Sequence, residues 1–397
     1  MKKKILFMVI NMNIGGTEKA LLNMISELPE EKYEITILML EKYGGLMDFI
    51  PKEVKVEFVD SYKNFKELLN DPPKTSLVKL LKQMKFIKAF IYLVLFFISF
   101  ISGERSILLK YILRGHSVME NKYDAAIAYA GPMDFISFFV IHKINAKKKI
   151  QWIHFDITKV GFNKKFAKRL YKKFDRLFVV SKEAKNKLVT TLPELKDLTT
   201  EFYNVVSPYE IRSKSKNGSG FEDDFTGIRI LTVGRLSSEK GQDMAIRVLA
   251  KLIKKGHGVR WYCVGEGHQR KDYERLIEKY KVKNHFILLG ANTNPYPYME
   301  QCDIYVQPSR YEGYCITVIE ARCLEKPIVS TKVNGVNEQI INGRTGIIVD
   351  IDENQLYDAI ELLVESPSLR KMLSENLHDV EVENTRQIDK LLTLMNK

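Results

Sequence analysis

The chain has 397 residues, 45% hydrophobic and 28% charged, with a formal net charge of +13. At about 100–200 residues per domain this length predicts two or three domains, and 19 Tyr and 21 Phe exclude disorder over most of it. The four cysteines (Cys263, Cys302, Cys315, Cys323) form no CxxC pair, which argues against a disulfide scaffold or zinc knuckle and reads as a reducing compartment.

The first element is a six-residue apolar run, Ile5–Ile10. It follows three lysines and imitates a signal peptide, but a secretory apolar core needs about 7–15 residues and a small-residue cleavage site. A buried first strand of a parallel sheet fits it. Gly15-Gly16-Thr17-Glu18 then opens a helix to about Leu28, and Tyr33–Leu40 and Val54–Val59 read as strands. The stretch 89–102, AFIYLVLFFISFIS, is apolar over fourteen residues, short of the about 20 that a spanning helix wants. It lies in a basic stretch, with eight Lys/Arg against one Glu from Lys74 to Arg114. The reading adopted is a helix dipping into an anionic membrane surface and anchored by those cations, with a buried core helix as its alternative. Asp124–Tyr129 is a strand with a helix beginning near Pro132, and Lys149–Ile153 and Arg176–Val180 are strands with helical pattern behind each. A second basic stretch, twelve Lys/Arg against two Asp, runs from Lys143 to Arg176.

Residues 207–227 are polar and rich in Ser, Gly and Lys, and read as a linker. The alternation then restarts. Strands are expected at Ile228–Val233, Val259–Val264, His285–Leu289, Ile304–Pro308, Pro327–Ser330 and Thr345–Val349. Helices are expected at Gln242–Lys255, Lys271–Lys279, Ile316–Leu324 and Glu353–Val364, with a charged helical tail. The fold class is α/β, two doubly wound domains facing a cleft: 1–206, a linker 207–227, 228–373, and a C-terminal helix in 374–397 that could return to the first domain. Ligands of such sheets bind at the carboxyl ends of the strands.

Three loops at such ends carry the chemistry. Gly15-Gly16 before a helix suits either a ligand's close approach or a plain tight turn. Arg235 and Lys240 follow the first strand of the second domain; a planar fork and a point charge five residues apart suit a diphosphate. Glu312 sits in a turn and Glu320 lies eight positions on, in the next helix. Gly313 between them is expected to relax the backbone, so that the following N–H groups face a phosphate. Two carboxylates also invite a glycosidase reading, but the neighbouring cations argue for an anionic leaving group. His154 follows a strand end, and Asp156 is read either with it or as a helix cap. Tyr296-Pro297-Tyr298 reads as core or loop packing, and His257, His268 and His285 carry no ligand spacing.

The ordered set of motifs resembles family-4 ("group 1") retaining glycosyltransferases of the GT-B fold: GGTE at 15–18, His154 in WIHFD, VGRLSSEKG at 233–241, VGEGHQR at 264–270, EGYCITVIEA at 312–321 and GVNEQIINGRTGIIV at 335–349. The resemblance implies a nucleotide-sugar held mainly by the C-terminal domain and an acceptor bound by the N-terminal one. It assigns Arg235 and Lys240 to the donor diphosphate, Glu320 to the ribose, and Glu312 and His154 to the transferred sugar. It puts Gly16 near the diphosphate, Gly290, Ala291 and Asn292 near the base, and the main chain of Gly313, Tyr314, Cys315, Ile316 and Thr317 at phosphate and sugar oxygens. Gly265-Glu266-Gly267 would shape a nearby turn. Many members carry Phe with Gly or Pro after the position of Gly313, where this chain has Tyr-Cys-Ile-Thr, so the sugar preference stays open.

The expected function is metal-independent, cofactor-free transfer of a hexose or N-acetylhexosamine from a nucleoside diphosphate, uridine before guanosine. The expected acceptor is a lipid-linked or cell-surface saccharide at the inner face of the cell membrane, with the enzyme cytoplasmic and peripheral. Rivals are a nucleotide-sugar epimerase of the same fold and a non-catalytic binding protein. A nucleic-acid binder is set aside, since no helix-turn-helix, zinc or aromatic-platform module is present.

Overall fold

The computed structural model describes residues 2–378 and 385–396. The N-terminal domain begins with strand β1 (Lys3–Val9), helix α1 (Gly16–Ser26), β2 (Tyr33–Met39) and β3 (Lys55–Phe58). An excursion of four helices follows: α2 (Lys66–Asn70), α3 (Pro73–Lys82), α4 (Phe86–Ser102) and α5 (Ser106–Ile112). The sheet resumes with β4 (Lys122–Ala128), α6 (Asp134–Lys143), β5 (Asn145–Ile153), α7 (Lys164–Leu170), β6 (Arg176–Val179), α8 (Lys182–Thr191) and β7 (Thr199–Glu201). All seven strands are parallel, in the order β3-β2-β1-β4-β5-β6-β7. β1 is central, and Ile5, Leu6, Phe7, Met8 and Val9 are buried on both faces. That explains an unbroken apolar run where a half-exposed strand would alternate.

Helix α9 (Pro208–Ser215) leads to the second domain. Its elements are β8 (Ile228–Val233), α10 (Gln242–Lys254), β9 (Val259–Val264), α11 (Arg270–Lys279), β10 (Phe286–Gly290), α12 (Tyr296–Gln301), β11 (Ile304–Gln307), α13 (Ile316–Cys323), β12 (Ile328–Thr331), β13 (Ile347–Val349), α14 (Glu353–Glu365) and α15 (Pro367–His378). The sheet order is β10-β9-β8-β11-β12-β13. Both sheets reverse direction beside their first strand, and this switch point opens a crevice at the strand ends.

The stretch 207–227 is more structured than its composition suggests. Ser207 caps α9, its Oγ accepting the Glu210 N–H at 3.3 Å. Asp223 then ties the segment to the second sheet through Arg229 (3.0 Å), Arg260 (3.1 Å) and the Tyr262 hydroxyl (2.6 Å). These three donors hold its carboxyl well down, to about 2, against the opposing effect of burial. Its polar residues serve as caps and anchors.

The tail expected over 374–397 falls partly outside the described residues. The part described, α16 (Ile388–Asn396), packs on the N-terminal domain: Ile388 and Leu391 join the apolar cluster of Ile5 and Phe7. Lys3 Nζ donates to the Met395 carbonyl at 3.0 Å, and Lys390 Nζ to the Glu201 carbonyl at 2.9 Å.

Helix α4 is not a core helix. Of its seventeen residues only Ala89, Tyr92 and Ser99 are buried, whereas Phe90, Phe97 and Phe100 are 67%, 59% and 75% exposed. The alternative of a buried core segment is therefore excluded. Gly103, at φ +66°, ends the helix in the left-handed conformation that glycine adopts without strain. Among the described residues no helix is long and apolar enough to cross a membrane.

Candidate active site

The loop after β8 is built to hold two cations. Gly234 N–H donates to Val264 O at 2.9 Å and Leu236 N–H to Glu266 O at 3.0 Å, so the loops after β8 and β9 run side by side. A Cβ on Gly265 would stand 2.0 Å from Gly234 O, and one on Gly267 2.2 Å from Leu236 O. The VGEG sequence is thus the close-packing partner of the VGR sequence. Gln242, fully buried, donates to Arg235 O at 2.9 Å and pins the loop. Arg310 clamps the turn before α10, donating to Ser238 O at 2.6 Å and in bidentate fashion to Asp243 at 2.7 Å.

Lys240 donates to both oxygens of Glu312, at 2.7 and 2.8 Å. Ser309 Oγ adds a bond to Glu312 Oε1 at 2.7 Å. Burial works against the charge on Lys240, but the pull of Glu312 and neighbouring groups outweighs it and raises the lysine pKa. The sequence-predicted diphosphate cation and sugar carboxylate are therefore one ion pair. Thr317 Oγ1 donates to Gln307 Oε1 at 3.0 Å, tying the start of α13 to the end of β11. Cys315 is buried beside it, and burial pushes its thiol to about 12, so it is no nucleophile at neutral pH.

Glu320, in α13, is fully buried. Its Oε1 takes Lys19 Nζ of α1 at 2.7 Å and the Tyr296 hydroxyl at 3.0 Å, while Oε2 has no partner among the described residues. Gly16 lies against Ile316, where a Cβ would be 3.4 Å from Cγ2. The N-terminus of α1 thus meets that of α13 across the cleft. Glu18 is half-buried there, and desolvation raises its pKa despite a main-chain hydrogen bond and the charge of Arg235.

His154 enters at the end of β5. Its ring bonds to the Tyr129 main chain and packs edge-on against the Tyr129 ring at 4.5 Å, leaving Nε2 without a partner among the described residues. Burial drives its pKa down to about 3, so the imidazole is neutral. Asp156 caps no helix. It closes a local turn on Thr158 and pairs with Lys187 at 2.7 Å.

The expectation for Gly313 needs correction. Its φ is ordinary, and what it requires is space: a Cβ would lie 1.6 Å from the His154 carbonyl oxygen, in the other domain. Tyr314 turns its ring onto Tyr203 of the N-terminal domain at 5.6 Å, so only its main chain remains for a ligand. Gly290 takes φ +83° at the end of β10; Ala291 and Asn292 follow as exposed residues, Asn292 Oδ1 accepting the Asn294 N–H at 2.8 Å. Arg235, Lys240, Glu312, Glu320, His154 and Gly16 are brought together between the domains by these contacts; Gly290 joins the neighbouring loop by accepting the Gly265 N–H at 2.8 Å, and nothing ties Ala291 or Asn292 to the gathered residues among the described contacts. Sequence reasoning missed Lys19 and set Tyr296 aside as packing, because nothing local to either residue announces Glu320. Away from the cleft, His257 meets Glu361 and Glu365, but Lys255 also bonds Glu361 at 2.8 Å and balances its charge.

Residues 219–379 match the sequence model of the family described as Glycosyl transferases group 1. The Anabaena HepE crystal structure in complex with UDP superposes with a TM-score of 0.66 at 18% identity, covering 99% of this chain and 100% of that one. The fold is GT-B. In sequence, the GT-B chain is 34% identical over 150 residues to the alpha-D-kanosaminyltransferase of Streptomyces kanamyceticus, covering 37% of this chain and 39% of the relative. It is 28% identical over 211 residues to the N-acetylgalactosamine-N,N'-diacetylbacillosaminyl-diphospho-undecaprenol 4-alpha-N-acetylgalactosaminyltransferase of Campylobacter jejuni, covering 53% of this chain and 56% of the relative. The chain thus spans about half or less of the length of these curated relatives.

Proposed function

We propose that this protein is a retaining glycosyltransferase that moves a hexose or N-acetylhexosamine from a UDP-linked donor to an acceptor hydroxyl. The observation that carries this reading is the cleft itself. Arg235 and Lys240 lie at one strand end, Glu312 and Glu320 flank the start of α13, and a neutral His154 stands opposite with a free Nε2. UDP in the HepE structure and the transferase names of the sequence relatives support the donor class.

In the proposed reaction the acceptor oxygen attacks the anomeric carbon on the face from which the diphosphate leaves. The carbon–oxygen bond to the β-phosphate breaks, and the acceptor proton passes to a phosphate oxygen of the departing UDP. Arg235 and Lys240 stabilise the charge that develops on that leaving group, the place where preorganised cations contribute most. Glu312 holds hydroxyls of the sugar, and Glu320 those of the ribose. These side chains supply the counter-charge that a metal supplies elsewhere, so the reading requires neither a metal nor another cofactor. No protein nucleophile is needed.

The acceptor class is proposed as a lipid-linked saccharide, with the enzyme peripheral on the inner face of the cell membrane. The diphospho-undecaprenol acceptor in the Campylobacter relative's name supports this, as do the exposed phenylalanines of α4 and the lysines around it. Nucleic acid has no place in this reading.

The test is a melting screen against UDP, GDP, ADP and CMP, with Arg235→Ala as control. A ligand at 100 times its Kd adds about 2.7 kcal/mol of stability. A rise with UDP that needs Arg235 is expected, and no response to any nucleotide would sink the reading. Product analysis then separates a transferase from an epimerase, which would change the sugar without an acceptor, and from a binding protein, which would leave it intact.

A further inference from the structure

Glu320 is a carboxylate with no exposed surface, and burying such a charge demands compensation. The compensation comes from the other domain. Lys19, in the first turn of α1, reaches across the cleft to Glu320 Oε1 at 2.7 Å, and its ammonium lies 4.4 Å from the centroid of the Tyr296 ring. The Tyr296 hydroxyl donates to the same oxygen at 3.0 Å. Both partners therefore crowd Oε1, and Oε2, equally buried, has none among the described residues. A buried carboxylate oxygen without a donor points to a hydroxyl or N–H supplied from outside the chain.

We infer that Lys19 is a donor-positioning residue: from the N-terminal domain it fixes the Glu320 carboxylate so that Oε2 faces the ribose of a nucleoside diphosphate. The inference rests on the donor reading above and adds a residue that the opposite domain contributes to it. Removing the Lys19 charge leaves Glu320 free to turn, so that no single oxygen is held for the ribose. Tyr296 remains in such a variant, but a neutral hydroxyl compensates the carboxylate less than an ammonium does.

The experiment is calorimetric titration of the full chain with UDP and with 2′,3′-dideoxy-UDP. Native protein, Lys19→Met, Lys19→Gln, Glu320→Gln and the double variant Lys19→Met/Glu320→Gln are compared, each first checked for a native melting transition. Lys19→Met and Lys19→Gln are expected to weaken UDP by about tenfold or more, and 2′,3′-dideoxy-UDP by less than about threefold. On the Glu320→Gln background, Lys19→Met should add no more than about twofold. A merely structural lysine would weaken both nucleotides alike, and that result overturns the inference. Equal or tighter UDP binding by Lys19→Met overturns it too, since Lys19 would then be a plug that the ribose displaces. Native protein that binds neither UDP nor GDP overturns the donor reading itself and takes this inference with it.

Discussion

Glu183 and Glu338 cap each other's domain. The Glu338 carboxylate accepts the Lys182 and Glu183 N–H groups at 3.0 and 3.1 Å, at the start of α8, while Glu183 Oε2 accepts the Gly335 N–H at 3.0 Å. Free N–H groups at a helix start carry partial positive charge, so the Glu338 carboxylate sits where it is favoured. Asn334 extends the junction by donating to Gly313 O at 2.8 Å and accepting from Lys187 at 3.0 Å. The contacts that close the cleft thus lead directly to the turn carrying Glu312. Glu338→Ala should lower stability by about 1 kcal/mol in urea unfolding, as loss of a cap does. It should also raise the KM for the donor, because closure is weakened; a variant unchanged in both would show that the junction is idle.

Gly313→Ala addresses the same closure by steric means. A Cβ 1.6 Å from the His154 carbonyl cannot be accommodated unless the two domains separate. Misplacing catalytic groups by about 1 Å costs about 100-fold in rate. A loss of transfer of that order is expected, with native far-UV circular dichroism; retention of more than half the native rate would refute the contact.

Asp134 gives a pH prediction. Burial raises its pKa from 3.8 to about 6, only partly offset by Arg105. The folded protein therefore holds a proton that the unfolded chain has already lost between about pH 4 and 6. The stability this provides is present below about pH 4 and is lost as pH rises to about 6. At about 1.4 kcal/mol per pKa unit, the full swing is on the order of 3 kcal/mol. Asp134→Asn removes the titration. Its stability relative to the native protein, from urea midpoints, should rise between pH 4 and pH 7.5; a constant difference would show that Asp134 ionises freely in the fold.

The exposed ridge of α4 is expected to carry membrane binding. Phe90, Phe97 and Phe100 stand out from the domain, and Lys82, Lys85 and Lys88 precede or begin the helix. Phe97→Asp/Phe100→Asp should abolish co-sedimentation with anionic phosphatidylglycerol vesicles while leaving the melting temperature within about 2 °C, since neither ring is buried. Undiminished pelleting of the variant would remove this helix from the membrane reading.

Much of the fold was legible because its determinants are local. Strands buried on both faces must be apolar without interruption, so Ile5–Ile10 declares itself; Ile228–Val233, broken by Arg229 and Thr232, is legible instead from its β-branched and aliphatic residues between a polar stretch and a glycine. The pairing of Glu312 and Glu320 within one turn and helix is likewise written in eight consecutive spacings. Local polarity misled at 207–227, where Ser207 and Asp223 are a cap and an anchor, and neither role can be told from linker composition without the partners. Gly313 was singled out for the right position but the wrong reason, because its constraint comes from a carbonyl of the other domain.

The sequence by itself determined the two doubly wound halves, the cations at the end of β8 and the carboxylates around the start of α13, since periodicity and residue type act over short spans of chain. Only the tertiary structure decided which charges meet. Lys240 with Glu312 and Lys19 with Glu320 are pairings across loops or across domains, and Glu183 and Glu338 each accept main-chain N–H groups of the opposite domain, all fixed by where the sheets stand relative to each other. It also decided that α4 lies outside the core, because an apolar helix is buried or bare according to whether another element covers it, and here only one side is covered.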